Sequence, residues 1–323
     1  MNICLILGAG ASKPYGYPLG FELKQRIIQY CISKPPECAP PEKLEQTWNY
    51  LEAVAQRLDS SPAQTIDRFL EEFRGILHGH DYELGQHARM AVAAVLFRHE
   101  YDRETSDEWY SNLARHLNKR PADVEPLKVI TFNYDRSLEH YVPKLLHWVA
   151  GQPRVLPEAE RFRRRVDLRH IYGSLPPLPG FRLSETEEAE FEYGEFTGHS
   201  AWKLGRGIFK FVHDETDPET VTTCRSAVRA SDVVLILGFG FDHMNITRVG
   251  LHEGNESQLI ISSGYKLDRD TKQRVRATCL PKRIHFGRED ATVLDFLSET
   301  EILEPQNSDQ TNDEIWTRLG SGA

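Results

Sequence analysis

The feature that most constrains this chain is its opening. Residues 2–7 form a short apolar run that stops at Gly8-Ala9-Gly10-Ala11-Ser12. An apolar run of that length, closed by a turn signal, reads as a buried strand. Glycine permits the tight turn and lets a backbone approach a pyrophosphate closely. A helix starting there offers free N–H groups and a positive dipole end to an anion. The dehydrogenase fingerprint is incomplete, however. Lys13 stands where a third glycine would be, and residues 31–41 supply no second strand with a ribose-binding acid. The turn therefore points to a nucleotide without pointing to a dehydrogenase, and taken alone it also fits a glycine turn with no ligand.

Further strands are predicted at 127–132, 167–172, 232–237, 258–262 and 283–286, and 232–237 is the clearest buried one. Helices are predicted at about 21–32, up to Ala227, and at 268–277, with another around 208–212. Residues 33–41 are proline-rich and read as a loop. Between about 42 and 117 the patterns are helical, with no convincing strand. Short apolar strands alternating with helices imply an α/β fold, a Rossmann-like parallel sheet with helices on both faces. The helical block at about 20–125 is too long for one crossover and is read as an insertion. The expected organisation is a single domain over 1–303, followed by a polar tail at 304–323 that reads as disordered.

Composition narrows the class. Of the 323 residues 40 % are hydrophobic and 27 % charged, as in a globular protein. No apolar run reaches the ~18 residues of a membrane helix, and residues 1–7 lack the basic flank and cleavage site of a signal peptide. A formal net charge of −9 argues against a surface devoted to nucleic acid. Arg161, Arg163, Arg164, Arg165 and Arg169 form one basic cluster, either a solvated face or a phosphate or partner contact. Five cysteines with no C-x-x-C pair support neither a disulfide framework nor a zinc module. Reduced thiols and a cytoplasmic location are the expectation, with no metal.

Three further segments carry candidate chemistry: Thr131-Phe132-Asn133-Tyr134-Asp135, His170-Ile171-Tyr172-Gly173-Ser174, and Leu237-Gly238-Phe239-Gly240-Phe241 followed by Asn245. Alone, Asn-Tyr-Asp after a strand is also ordinary turn or N-cap chemistry. Phe239 and Phe241 are also plausible core aromatics. Together with Gly8–Ser12, continued by Pro14, Gly16, Pro18 and Leu19, the four segments in this order resemble the motifs of sirtuin-like proteins over roughly residues 1–298. Thr65–Leu70 resembles a helical signature of bacterial sirtuin-like defence proteins.

The resemblance implies NAD⁺ as substrate. By matching position it implies catalytic roles for Asn133, Asp135 and His170. It places Gly8, Ala9, Gly10, Ala11, Ser12, Pro18, Tyr172, Gly238, Phe239, Gly240 and Asn245 in nucleotide binding. The chemistry is consistent: cleaving the nicotinamide–ribose bond builds oxocarbenium character, which positioned polar groups stabilise without a metal, and a histidine suits the proton transfers.

The family histidine normally precedes the glycine directly. Here Tyr172 does, and His170 lies two residues earlier on the same strand face, so either residue fills the slot. His78-Gly79 comes in the wrong order for the family and reads as surface. The missing four-cysteine module, and the missing Phe-Arg after the first glycine motif, point away from deacylation. They favour NAD⁺ hydrolysis, and the resemblance to the bacterial sirtuin-like NAD⁺ hydrolases implies a role in antiphage defence as a homo-oligomer working with a partner such as a helicase-type ATPase or phage sensor. A non-catalytic NAD⁺ or ADP-ribose binder, or a protein deacylase, are the alternatives. The helical block and the acidic stretch 185–195 are candidate partner surfaces or solvated structure.

Overall fold

The computed structural model describes residues 1–63, 65–73, 75–100, 108–121, 124–147, 157–181, 190–195, 218–253, 256–279, 283–303 and 311–320. The helix expected at 208–212 and residues 185–189 of the acidic stretch 185–195 lie outside the described residues.

Six strands form one parallel sheet: β1 (Ile3–Leu7), β2 (Leu127–Thr131), β3 (Val166–His170), β4 (Val233–Leu237), β5 (Leu259–Ser262) and β6 (Arg283–Phe286). Their spatial order is β3-β2-β1-β4-β5-β6, the doubly wound order of a Rossmann-like α/β fold. The reason lies in the sequence. In β1 Cys4, Leu5 and Ile6 have no exposed surface, and neither does any residue of β4. Strands apolar on both faces cannot leave one face to water, so both faces must be covered by crossover helices. Because crossovers are right-handed, and the order runs outward from β1 in both directions, the helices of the two halves fall on opposite faces.

The register brings the strand ends level. Leu7 pairs with Thr131 on one side and with Leu237 on the other, and Thr131 pairs with His170. The strands that precede all four motifs therefore end together, along one edge of the sheet.

The helical insertion comes between β1 and β2. It contains α1 (Ala9–Ser12), α2 (Gly20–Ile32), α3 (Leu44–Ser60), α4 (Ile66–Glu71), α5 (Gly79–Phe97) and α6 (Trp109–Lys119). Helices α2, α3 and α5 pack on one another. From Ala88 to Phe97 every residue of α5 is buried, Arg89 included, so α5 is the central rod of the block and shows no amphipathic stripe there. On the sheet side come α7 (Ser137–Leu145), α8 (Glu158–Arg163), α9 (Pro218–Ala230), α10 (His243–Arg248), α11 (Arg269–Thr278) and α12 (Val293–Thr300). The helix expected to close at Ala227 runs on to Ala230.

One expectation is corrected. The tail carries a helix, α13 (Asn312–Gly320), where disorder was expected. Its composition is polar, but Ile315 and Leu319 lie four apart on one face and are 0 % and 8 % exposed. Asn312 Nδ2 donates to the carbonyls of Asp232 and Ser257 at 3.2 and 2.9 Å, and Arg283 of edge strand β6 pairs with Asp313. The helix expected at about 21–32 is present as Gly20–Ile32, and a short irregular stretch separates it from the glycine turn. The chain makes one helical turn, α1, then a 3₁₀ turn over Lys13–Tyr15, and breaks at Gly16 with φ +92°. Pro14 has no N–H to extend α1, and the left-handed Gly16 redirects the chain. The long helix starts only at Gly20, where Glu22 Oε2 accepts from the Leu19 N–H at 2.9 Å.

Candidate functional site

The turns that follow β1 and β4 meet backbone to backbone. Gly8 N–H donates to the Leu237 carbonyl at 3.0 Å, and Gly10 N–H to the Gly238 carbonyl at 2.9 Å. A Cβ on Gly8 would lie 2.6 Å from the Gly238 oxygen. One on Gly238, whose φ is +62°, would lie 2.1 Å from the Ala11 nitrogen. These glycines are thus required by the approach of one turn to the other. Gly240 is different, since a Cβ there would meet nothing within 4 Å. The insertion fixes the first turn from outside. Trp109 Nε1 donates to the Ala11 carbonyl at 2.8 Å, and the Tyr15 ring stacks on Tyr110 with centroids 3.8 Å apart.

Asn133 and Asp135 lie on the turn between β2 and α7. Asn133 is 9 % exposed. Its backbone N–H donates to Thr131 Oγ1 at 3.0 Å, which folds the turn tightly. Its side-chain Nδ2 donates to the Gly8 carbonyl at 3.0 Å and to Ser12 Oγ at 2.9 Å. The carboxamide orientation is thereby fixed and its Oδ1 is left without a protein partner among the described residues. Ser12 in turn bonds the Asp135 carboxyl, which also accepts from the Ser137 backbone N–H (3.1 Å) and hydroxyl. Burial raises the Asp135 pKa, and the hydrogen bonds from Ser137 and Ser12 oppose the rise.

These groups line a small cleft of about 60 Å³, half open to solvent. Ala9, Ser12 and Pro18 come from the first turn and its continuation, Asn133 and Asp135 from the β2 turn. Phe132 and Tyr134 from the same turn, with Tyr17, Ile66 and Leu96 from the insertion, supply apolar and aromatic wall. A mostly apolar cleft with a few convergent polar groups is the usual form of a small-molecule site.

One lining group escaped the reading of the sequence: Asp67, the second residue of α4. Its carboxylate accepts from the Tyr134 hydroxyl. Burial raises its pKa to about 6. The Tyr134 bond works against that rise, and the charges of Asp242 and Glu71 add to it. The sequence marks the segment, because Thr65 is a recognisable N-cap whose Oγ1 accepts from the Arg68 N–H. Nothing local says that α4 faces the sheet edge.

His170, expected as the catalytic base, is not among the residues that line the cleft. Its Nδ1 lies 2.8 Å from the Asn133 carbonyl and its Nε2 2.9 Å from Glu139 Oε1. A carbonyl and a carboxylate only accept, so the two contacts favour the imidazolium form of the ring. Burial opposes that charge, but the Glu139 charge and both hydrogen bonds outweigh it, and the pKa stands above the ordinary histidine value. As placed, His170 braces Asn133 from behind.

Tyr172 and Asn245 also stand apart from the cleft. The Tyr172 hydroxyl donates to Asn245 Oδ1 and accepts from Arg248, whose guanidinium lies over the Tyr172 ring at 4.8 Å and pairs with Glu71 at 2.9 Å. Phe239 belongs to an aromatic cluster behind the cleft, 5.0 Å from Phe132 and 5.2 Å from Phe241.

Behind the Tyr17 wall of the cleft lies a buried ion pair. Arg136, 1 % exposed, forks onto Glu100 at 2.8 and 2.6 Å. Its remaining donors go to the carbonyls of Pro176, Phe191 and Glu192. This ties residues 191–194 to the insertion, where the Tyr193 hydroxyl meets that of Tyr17 at 3.0 Å and its ring stacks on His140.

Among the described residues no group of three or more histidine, cysteine, aspartate or glutamate side chains is disposed to hold a metal ion, and no helix is long and apolar enough to cross a membrane. All five cysteines are buried and free. A scan of the chain against protein-family models finds no match and a search of curated proteins finds no relative, so the site is read from its own geometry.

Proposed function

We propose that the chain binds NAD⁺ along the sheet edge, with the nicotinamide–ribose end in this cleft, and hydrolyses the bond between them. One observation carries the reading. Asn133, braced by Gly8, Ser12 and His170, presents an unpartnered carboxamide oxygen to an aromatic-walled cleft that also holds Asp135. The carboxamide of a nicotinamide ring has the donors that such an oxygen accepts.

Hydrolysis breaks the C1′–N bond, leaving its electron pair on the ring nitrogen, and forms a bond from a water oxygen to C1′. The water's proton passes to a carboxylate, for which Asp135 is the candidate, and then to solvent. The products are nicotinamide and ADP-ribose. Positioning and electrostatic stabilisation of the oxocarbenium-like state carry the rate. On the motif resemblance, the setting is bacterial antiphage defence by NAD⁺ depletion, with self-association and a triggering partner protein.

The test is chromatographic. NAD⁺, nicotinamide and ADP-ribose are followed with purified protein and with Asn133→Ala. Turnover in the wild type, and its loss in a variant with an unchanged melting temperature, supports the hydrolase. Equal turnover in both removes Asn133 from the mechanism. The commitment of both His170 nitrogens favours a second reading, a binder of NAD⁺ or ADP-ribose without turnover. Stabilisation by either ligand with no product formed, at any enzyme concentration, selects it.

A further inference from the structure

Resting on that placement of the nucleotide, we infer that Asp67 is a specificity-determining residue, which with Asp135 makes this end of the cleft select a positively charged ring and reject a neutral one. Three observations carry it. First, the cleft has two carboxyl groups and, among its described lining residues, no lysine, arginine or histidine. An anionic group would meet no counter-charge here, whereas a cation would meet two carboxylates in surroundings where charge interactions are weakly screened. Second, Asp67 is neutralised by no basic partner among the described residues. Its hydrogen-bond partner is the neutral Tyr134 phenol, while neighbouring Arg68 turns to Asp242 and Arg248 turns to Glu71 and Tyr172. Third, Asn133 is nine-tenths buried with its carboxamide oxygen unpartnered and facing the same space. The polar ligand group that completes it would share the cleft with the two acids.

The ligand that fits is an N-substituted pyridinium bearing a carboxamide. The aromatic wall of Phe132, Tyr134 and Tyr17 accepts a flat ring, and cations are attracted to such ring faces. The reduced dihydropyridine form has nearly the same shape and hydrogen-bonding groups but no charge. Shape and hydrogen bonding alone discriminate poorly between them, and the two carboxylates discriminate by charge. Asp67 belongs to α4, inside the helical insertion, so ring selectivity comes from the insertion while the Asn133 anchor comes from the sheet.

The experiment is calorimetric titration of the full chain at pH 8, above the value of about 6 to which burial raises the Asp67 carboxyl. The probes are NADH and carbocyclic NAD⁺, in which a methylene replaces the ribose ring oxygen so that the bond cannot break. The cation is expected to bind at least about tenfold more tightly to the wild type, and Asp67→Asn to lose most of that ratio by weakening the cation alone. Asp67→Glu, which keeps the charge, retains it. NADH binding as tightly as the cation to the wild type overturns the inference without needing any variant, and leaves nucleotide binding standing. So does an unchanged ratio in a folded Asp67→Asn protein. Failure of both probes to bind overturns the placement of the nucleotide and the inference with it.

Discussion

The Arg136–Glu100 pair gives the sharpest test of how the cleft wall is held. Replacing Arg136 with methionine keeps much of the side-chain volume and removes the charge. It leaves the Glu100 carboxylate, 4 % exposed as a residue, with the Gly194 N–H at 3.3 Å as its remaining donor among the described residues. It also strands the carbonyls of Pro176, Phe191 and Glu192. Breaking one side of a buried pair costs about 3–5 kcal/mol. A chain of 323 residues unfolds with an entropy of roughly 0.7 kcal/mol/K, so the melting temperature should fall by about 4–7 °C.

The pH dependence identifies the cause. Burial already lifts the Glu100 pKa above its unfolded value, with the Arg136 hydrogen bonds and charge pulling it back. A raised acid favours the folded state below its unfolded pKa and loses that advantage as pH rises through the folded value. Without Arg136 the folded value climbs further, so the deficit relative to wild type should be smaller at pH 5 than at pH 8. Scanning calorimetry at both values, on Arg136→Met and on Arg136→Met with Glu100→Leu, is the assay. The double variant should recover part of the loss. A deficit equal at both pH values, with no recovery in the double variant, would refute the argument by showing that packing and not charge holds the wall.

Three other outcomes are expected. His170→Gln should destabilise by about 1–3 kcal/mol, the scale of a buried charged hydrogen bond, measured by urea denaturation. Because the folded His170 pKa is raised, its contribution is full below the unfolded value and fades as pH climbs through the folded one. The variant's deficit should therefore shrink in alkali, and a deficit that grows there contradicts the imidazolium assignment. Gly238→Ala, at φ +62° and 2.1 Å from the Ala11 nitrogen, should cost about 3 kcal/mol or more and be seen as a collapse in soluble yield or melting temperature. Gly240→Ala, with open space around it, should change stability by less than about 0.5 kcal/mol; turnover lost at unchanged stability would mark that space as occupied by substrate.

Much of the frame is legible in the sequence because β1, β2, β4 and β5 are short, largely apolar and closed by turn residues, which leaves the parallel arrangement few alternatives. Asn133 and Asp135 are legible for a related reason: they come directly after such a strand, and strand ends in this fold share one edge. What fails is whatever depends on a second element. His170 reads as a free base until Glu139 of α7 and the Asn133 carbonyl claim its two nitrogens. Asp67 reads as one acid in a polar helix start until α4 is laid against Tyr134. The tail reads as disordered because its few apolar residues are outnumbered, although Ile315 and Leu319 at the right spacing suffice when a sheet edge is there to receive them.

The position of β1 has a consequence for the birth of the protein. In chain order β1 precedes every other strand of the sheet, yet it is central and pairs with residues 128–131 and 233–237. At ribosomal rates of about 5–20 residues per second, the interval between making Leu7 and making Leu237 is roughly 10–45 s. For that time at least one edge of an apolar strand stays unsatisfied, while the helical block, whose contacts among α2, α3 and α5 are all made within residues 20–97, can form without it. Cover for that edge, from a chaperone or from the block itself, is needed until β4 is made.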